Sequence, residues 1–267
     1  MTIAGKEMSI RAVAGALALG LLGPGLAGAQ TLDAAGGLTF YKEAVEPNAQ
    51  LIKERTGLTV KYAGPTTGLG IFLLVQGKAK VAFALDTLDE SIKQAHAVAK
   101  EQGAPLAIPP DLVYKQFATD KLAIMVNKQN PVTAISKAQF KEIAAGRTTN
   151  WKQLGGPDLP IKVITGTPTT ATRLVVERQV LDGQSFAAGA TEVRTTAEEL
   201  KRVSHDPGAI GFISRRYADT AGANVKVVTG PPASRPWAAV TIGKPGADAQ
   251  KLIDFLLSAE GQKLLHN

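Results

Sequence analysis

The sequence of 267 residues contains no cysteine. Disulfide bonds, thiolate metal sites and a cysteine nucleophile are therefore excluded. A chain of this length can bury a sizeable core without disulfides. A lipid-anchored export protein needs a cysteine at its cleavage point, so we expect an exported form of this chain to be released as a soluble protein.

Catalytic and nucleic-acid-binding signatures are also missing. The three histidines, His96, His205 and His266, are dispersed. The sequence has no Gly-x-Ser-x-Gly elbow, no Walker loop and no His/Cys metal spacing. Lysine and arginine outnumber acidic residues by 30 to 23, but they are scattered rather than clustered as in a nucleic-acid interface. We expect no enzyme, no cofactor and no nucleic-acid partner, while the net charge of +7 favours small anions.

The first 29 residues have the composition of a cleavable secretion signal. Lys6 and Arg11 form a basic start, residues 12–22 are apolar, and residues 27–29 read Ala-Gly-Ala, a small-x-small cleavage site. The alternative is a membrane anchor, but the apolar run is shorter than the roughly 18–20 residues that a bilayer requires. We predict cleavage after Ala29, a periplasmic location and a mature chain with room for two domains of ordinary size.

The hydrophobic pattern from residue 38 onward predicts alternating strands and helices. The predicted strands are 38–40, 58–62, 81–84, 122–126, 161–164, 225–228 and 237–242, and residues 206–213 are predicted to be a turn that enters a strand. The predicted helices are 47–55, 68–76, 89–100, 137–145, 171–181, 197–204 and a broken region at 247–265. Ser136 is predicted to cap one helix, and Thr196 another with Glu199 completing a capping box. This order indicates an α/β protein with largely parallel sheets and helices on their faces.

Four stretches resemble, in the same order, segments of the type II periplasmic phosphate-binding proteins of ABC importers. They are residues 122–132, 135–158, 206–214 and 254–264, and the most specific contains Thr-Asn-Trp at 149–151 and Gly-Gly-Pro-Asp at 155–158. The resemblance implies two α/β lobes joined by two crossover strands, with a ligand held in the cleft between them. It places the first lobe at 36–121 plus 229–267 and the second at 122–228. It also implies a phosphate-like anion, an ABC transporter permease as partner, and a monomer.

The first candidate anion-binding loop spans residues 64–71, where a predicted strand leads into a helix. The amides at a helix N-terminus lack partners and favour negative charge. The family has a glycine-rich loop with a serine hydroxyl on the anion here; Thr67 matches that serine, and Gly68 and Gly70 match family glycines. An ordinary glycine-containing turn is the alternative interpretation.

The second candidate loop spans residues 165–173, where the family has a Ser-Gly-Thr-Arg pattern that opens a helix. The matching residues here are Thr170, Ala171, Thr172 and Arg173. Gly166 and Pro168 stand where the family usually has an arginine on the anion and an acidic residue that accepts a proton from it. Loss of that arginine is expected to weaken phosphate binding by about 1.5–3 kcal/mol. A slip of one or two residues in the alignment is the alternative.

Three further residues are candidate ligand contacts. Thr39 is the hydroxyl nearest to the first predicted strand. Lys42 would supply positive charge to the ligand in place of the missing arginine. Alternatively, Lys42 is a solvent-exposed residue at the start of a helix. Asp86 would accept a hydrogen bond from a protonated ligand, or else caps the following helix. Trp151 and Trp237 suggest a sugar-stacking platform, but we interpret Trp151 as a packing residue.

These observations predict non-catalytic capture of phosphate or a related small oxyanion in an interlobe cleft. The alternative is a sensor, scaffold or accessory protein that keeps the fold with an altered pocket, as Gly166 and Pro168 suggest.

Overall fold

The computed structural model describes residues 30–220 and 224–266. The predicted signal peptide, residues 1–29, lies outside the described residues. The strands are β1 (Gln30–Ala35), β2 (Leu58–Ala63), β3 (Val81–Ala84), β4 (Leu112–Asn127), β5 (Lys162–Gly166), β6 (Thr191–Val193), β7 (Ala209–Ser214) and β8 (Val225–Ile242). The helices are α1 (Leu38–Phe40), α2 (Ala49–Thr56), α3 (Thr67–Val75), α4 (Leu88–Glu101), α5 (Lys137–Ala144), α6 (Ala171–Gln179), α7 (Thr196–His205), α8 (Arg215–Thr220), α9 (Ala247–Leu257) and α10 (Ala259–His266). A π-helical turn, Tyr41–Val45, continues α1, and a 3-10 helix lies at Trp151–Leu154. Within the described ranges, none of these helices combines the length and apolar character needed to cross a membrane.

The strands form an eight-stranded sheet in the order β2-β1-β3-β8-β4-β7-β5-β6. β1, β2 and β3 are parallel, and so are β5, β6 and β7. The long strands β4 and β8 run antiparallel to each other and to their outer neighbours. β3 pairs with residues 238–240 of β8, whereas β7 pairs with residues 122–126 of β4. These registers point the carboxyl ends of the two parallel sets toward each other across the middle of β4 and β8.

Each half of the sheet has its own hydrophobic core. In the half with β1–β3, Phe40 packs against Phe83, Phe117 and Trp237, with ring centroids 4.7, 4.8 and 5.3 Å away. In the half with β5–β7, the buried residues include Phe140, Trp151 and Phe212. The prediction of an α/β protein is confirmed, and β4 and β8 are the two strands that pass from one half to the other. The exact lobe boundaries, 36–121 plus 229–267 and 122–228, stay a prediction.

The first predicted strand, 38–40, is wrong. The strand is β1, and Leu38–Phe40 is helical. Alanine is a weak signal for a strand, yet Ala34 and Ala35 are buried in β1, between β2 and β3. Gly36 and Gly37 then take φ values of 82° and 65°, which end β1 and turn the chain into α1.

The helix caps agree in part with the sequence. Ser136 forms a complete capping box with Gln139. The cap of α7 is Thr195 rather than Thr196, and its hydroxyl accepts from the Glu198 amide. The predicted role of Glu199 in that box is wrong, because its side-chain Oε1 accepts instead from the Phe212 amide at 3.0 Å.

Candidate functional site

A cavity of about 730 Å³ lies between the two halves. Its walls come from the segments that follow β1, β2, β3, β5, β6 and β7, joined by Arg235 from the middle of β8. This location follows from the sheet, because both sets of parallel strands end at the same central gap. Ligand sites of open α/β sheets lie at the carboxyl ends of strands in this way.

Three helices of eight or more residues begin at the cavity. They are α3, α6 and α7, and the lining includes Thr67, Ala171 with Thr172, and Thr196 with Ala197. The first amides of a helix have no partner within the helix, and the helix dipole adds positive potential there. At α6 the Thr170 side chain forms no cap in the described structure, and its hydroxyl donates to the Thr167 carbonyl at 2.9 Å. The start of α6 is thus left open to an anion.

Arg235 supplies a buried positive charge at the cavity wall. Its side chain is 1% exposed, its Nε donates to Asp120 Oδ2 at 2.9 Å, and its Nη1 donates to Thr172 Oγ1 at 2.9 Å. Among the described residues, Nη2 is buried and has no hydrogen-bond partner. Asp120 and Arg235 occupy paired positions on β4 and β8, so the guanidinium is held where the two crossover strands meet.

Glu43 is a buried acid in the cavity wall. Ser214 Oγ lies 3.2 Å from Glu43 Oε2 and 2.8 Å from Asp120 Oδ1. Burial, and next the nearby charge of Asp120, raise the pKa of Glu43 to about 8, although Arg235 opposes the shift. The cavity therefore contains a guanidinium balanced by Asp120, together with a carboxyl that keeps its proton at neutral pH.

Six of the predicted ligand residues line the cavity: Thr39, Lys42, Thr67, Thr170, Ala171 and Thr172. The Thr67 hydroxyl accepts from the Leu85 amide at 3.1 Å, which leaves its hydrogen available to donate. Lys42 is exposed, and its ammonium forms an ion pair with Glu46 at 2.7 Å. Lys42 thus lies at a solvated edge of the cavity, while the buried cation in the wall is Arg235.

The other three predicted residues lie outside the cavity lining. Gly68 packs against α4, where an added Cβ would come within 2.6 Å of the Gln94 carbonyl oxygen. Asp86 is fully buried, and its Oδ1 accepts from Arg178 Nη2 at 2.7 Å. Arg173 is buried and contacts Glu177, Glu192 and the Gly166 carbonyl. Each makes a structural contact and none is part of the cavity lining, so their ligand roles stay predictions and we do not carry them into the proposed site.

The tryptophans also lie outside the cavity lining. Trp151 is buried, and its indole donates to the Gly208 carbonyl at 2.9 Å. Trp237 packs against Phe40.

Gly166 has a steric reason to differ from the family arginine. A Cβ at this position would collide with the Thr170 side chain, so any larger residue here requires Thr170 to move. Arg235 and Glu43 were missed as site residues by the sequence reasoning. Arg235 lies between Pro232 and Pro236, in a segment for which the sequence analysis predicted no strand, although β8 includes this segment. The sequence signal that could have identified Arg235 as a site residue was a single arginine next to the apolar strand predicted at 237–242.

Comparison with known proteins agrees with this architecture. A model of the PBP superfamily domain matches residues 27–260. The phosphate-binding protein PstS of Bacillus subtilis is 36% identical over 107 residues, which are 40% of this chain and 35% of that protein. Protein SphX of Synechococcus elongatus is 26% identical over 193 residues, which are 70% of this chain and 54% of that protein. The matches thus span between about a third and a half of these relatives.

Two solved structures share the fold over most of their length. One, from Clostridium perfringens, is described as a phosphate ABC transporter substrate-binding protein with bound phosphate. Its TM-score is 0.74 and its sequence identity is 24%, and the match covers 89% of this chain and 97% of that chain. The other is an ABC-type phosphate transport receptor from Vibrio cholerae, with a TM-score of 0.64, 26% identity and coverage of 88% and 97%.

Proposed function

Because this chain belongs to the PBP superfamily and has the two-lobed type II fold, we propose that it captures phosphate or a related small oxyanion without converting it. The observation that carries this proposal is the buried Arg235 guanidinium, whose Nη2 has no partner among the described residues and whose side chain lines the cavity. A buried charged donor without an acceptor is costly. A bound oxyanion would satisfy it, and Arg is well shaped for oxyanions.

The anion would be held from both halves. From one half, Thr67 offers a hydroxyl at the start of α3. From the other half, Thr172 offers a hydroxyl and α6 and α7 offer their first amides. Donors on both walls would favour closure over the ligand, because the closed state gains contacts that the open state lacks. Nothing in this arrangement requires a covalent step.

We further propose that the protein acts in the periplasm as a monomer and delivers its anion to an ABC transporter permease. The support is the naming of the relatives as phosphate-binding proteins and phosphate transport receptors, together with the predicted signal peptide. Closure would present a distinct surface to the membrane partner.

Replacement of Arg235 by lysine tests the site directly. Lys keeps the positive charge and loses the two-pronged donor, so we expect phosphate affinity to fall about 10- to 100-fold, on the basis of about 1.5–3 kcal/mol for a hydrogen bond to a charged group. Isothermal titration calorimetry with phosphate near 0.15 M ionic strength measures the change. Arg55→Lys is the matched control, because Arg55 forms an exposed ion pair with Glu260 that lies outside the cavity lining.

Two results would contradict the proposal. One is the lack of saturable binding of any small oxyanion by the wild-type protein. The other is equal phosphate affinity for wild type and R235K when both are folded by circular dichroism.

A sensor or accessory role without transport is the second candidate function. The observation that favours it is Gly166, where a side chain such as the family arginine would collide with Thr170. Phosphate uptake by cells that carry R235K separates the two roles. A loss of uptake in step with the loss of affinity supports transport. Unchanged uptake, with a change in another phosphate-dependent output, supports the second role.

A further inference from the structure

In the described part of the chain, the cationic side chains that line the cavity are Lys42, Arg194 and Arg235. Two of them are already paired with an acid. The Lys42 ammonium lies 2.7 Å from Glu46, and Arg235 Nε lies 2.9 Å from Asp120 Oδ2. A bound oxyanion therefore brings negative charge that these two pairs do not balance, and burying an unbalanced charge is costly. The remaining cation is Arg194.

Arg194 has an exposed side chain that makes no hydrogen bond or ion pair with any described residue. Its backbone amide, rather than its guanidinium, donates to Glu198 Oε2 at 3.3 Å, and Glu198 Oε1 lies 3.2 Å from Arg202 Nη2. Among the groups that lower the pKa of Glu198, this amide is the strongest and the charge of Arg194 is the weakest. Glu192, two residues before Arg194, lies 2.6 Å from Arg173 Nη1. The Arg194 guanidinium is thus available to a ligand.

The sheet places Arg194 beside the loop that leads into α6. Gly166 and Val193 are the last paired residues of β5 and β6, and the Thr167 amide donates to the Val193 carbonyl at 3.2 Å. Arg194 is the next residue after Val193, so its backbone lies about 4.8 Å from this loop, the spacing of neighbouring strands. Gly166 and Thr167 line the cavity as Arg194 does. The guanidinium therefore starts close to the end of the cavity where the first amides of α6 are open to an anion.

We propose that Arg194 is an anion-binding residue of the second half, whose side chain folds over the cavity and donates to the bound oxyanion; this inference rests on the proposed function. A guanidinium offers an oxyanion two parallel N–H groups, which bind more strongly than neutral donors. Arg235 holds the anion from the buried wall, and Arg194 covers it from the solvent side. Its charge also balances the negative charge that the pairs of Lys42 and Arg235 leave over.

Replacement of Arg194 by glutamine removes this contact without removing a buried group. At pH 6.5, below the pKa of about 8 of both Glu43 and Glu199, both acids stay neutral in every variant. We expect the phosphate affinity of Arg194→Gln to fall about tenfold, the low end for a hydrogen bond to a charged group, because the side chain is exposed. Arg194→Lys should lose part of this affinity, since lysine keeps the charge without the two-pronged donor. Isothermal titration calorimetry measures both variants.

Lys201→Gln is the matched control, because Lys201 is an exposed cation on α7 that lies outside the cavity lining. It removes the same single charge, and its phosphate affinity should differ from wild type by less than about twofold. Calorimetry at about 0.05 M and about 0.5 M ionic strength separates a contact from long-range attraction, which salt screens. The deficit of R194Q should persist at the higher ionic strength.

A second measurement uses the wild type alone, so that it does not depend on any variant. Phenylglyoxal modifies accessible arginine side chains, and peptide mass spectrometry gives the extent of modification at each position. Saturating phosphate should protect Arg194 several-fold. Arg147, which forms an exposed ion pair with Glu142, should be modified equally with and without phosphate.

Four results would overturn this inference: equal phosphate affinity for R194Q and wild type, an equal deficit in K201Q, a deficit of R194Q that disappears at high ionic strength, or no protection of Arg194 by phosphate. Each leaves the proposed function intact as long as the wild type binds phosphate and R235K binds it more weakly. Absence of saturable binding of any small oxyanion by the wild type removes the proposed function itself.

Discussion

Glu199 is a buried carboxyl whose environment controls its charge. Its side chain is 4% exposed and lines the cavity, and its Oε1 accepts from the Phe212 amide at 3.0 Å. Burial raises the pKa of Glu199 to about 8, although this hydrogen bond acts in the opposite direction. In the folded protein Glu199 therefore keeps its proton at neutral pH, whereas in the unfolded chain it loses the proton near its ordinary pKa of 4.5.

This difference makes stability depend on pH. The unfolded state releases the proton above pH 4.5 and the folded state holds it until about pH 8, so the free energy of unfolding falls between these values. Glu43 contributes in the same window. We expect Glu199→Gln to be more stable than wild type at pH 8, by on the order of a few kcal/mol, with little of this difference at pH 4.5. Urea denaturation at pH 4.5, 6 and 8 measures it.

A stability difference between E199Q and wild type that is the same at all three pH values would contradict this prediction. Glu101→Gln is a suitable control, because Glu101 is exposed at the end of α4. Its stability difference from wild type should not change over this range.

At the scale of elements, α6 links the two halves of the molecule. Arg178, near the end of α6, forms an ion pair with Asp86, which follows β3 in the other half; Arg178 Nη2 lies 2.7 Å from Asp86 Oδ1. Arg178 Nη1 also lies 3.8 Å from Glu90 on α4. Gln179 exchanges two hydrogen bonds with the backbone of Ser234 on β8. The helix whose start faces the cavity is thus anchored at its far end to the opposite half and to a crossover strand.

We expect Arg178→Gln to lower the free energy of unfolding by about 1–3 kcal/mol, because it leaves the buried Asp86 carboxylate without its cation. Since the Arg178 side chain is 38% exposed, solvent screening keeps the effect below that of a fully buried pair. The double variant with Asp86→Asn should recover part of the loss, since it also removes the unpaired charge. Urea denaturation of the four proteins gives the coupling energy.

Arg55→Gln is the control for this pair, because the Arg55–Glu260 contact is exposed on both sides and such pairs contribute about 0–1 kcal/mol. Additive effects of the Arg178 and Asp86 substitutions would show that the contact does not hold the two halves together.

At the scale of the whole molecule, two crossover strands connect halves that have separate cores. Asp120 and Arg235 face each other where β4 and β8 pass between the halves, and register shifts interrupt the pairing at 116/118 and 122/124 on either side. Local irregularities of this kind allow strands to bend. The same segment thus combines the hinge with the buried cation of the proposed site.

We expect phosphate binding to compact and stabilise the molecule. Small-angle scattering should show a smaller radius of gyration with phosphate than without. At a free phosphate concentration of 100 times Kd, the free energy of unfolding should rise by about 2.7 kcal/mol. R235K, tested at the same multiple of its own Kd, should show the same stabilisation. Saturable binding without any compaction would contradict closure of the two halves.

The sequence by itself determined the local elements and the fold class. Hydrophobic periodicity located most helices and strands of the α/β fold, and Ser136 with Gln139 specified a helix start, because these signals act between residues close in the chain. Local signals failed where long-range packing prevails. The alanines of β1 are buried between neighbouring strands, and Pro236 of β8 is paired with Thr119 of β4 without ending the strand.

Only the tertiary structure decided which charges meet in the cleft. Thr67, Thr170 and Thr172 were identified from the family resemblance at two predicted helix starts, but Glu43, Asp120, Ser214 and Arg235 come from four distant segments. Their meeting depends on the register of β4 with β8 and of β4 with β7, which is set by the packing of whole strands. The charge state of Glu43 depends in turn on burial, because desolvation exists only once both halves surround the carboxyl.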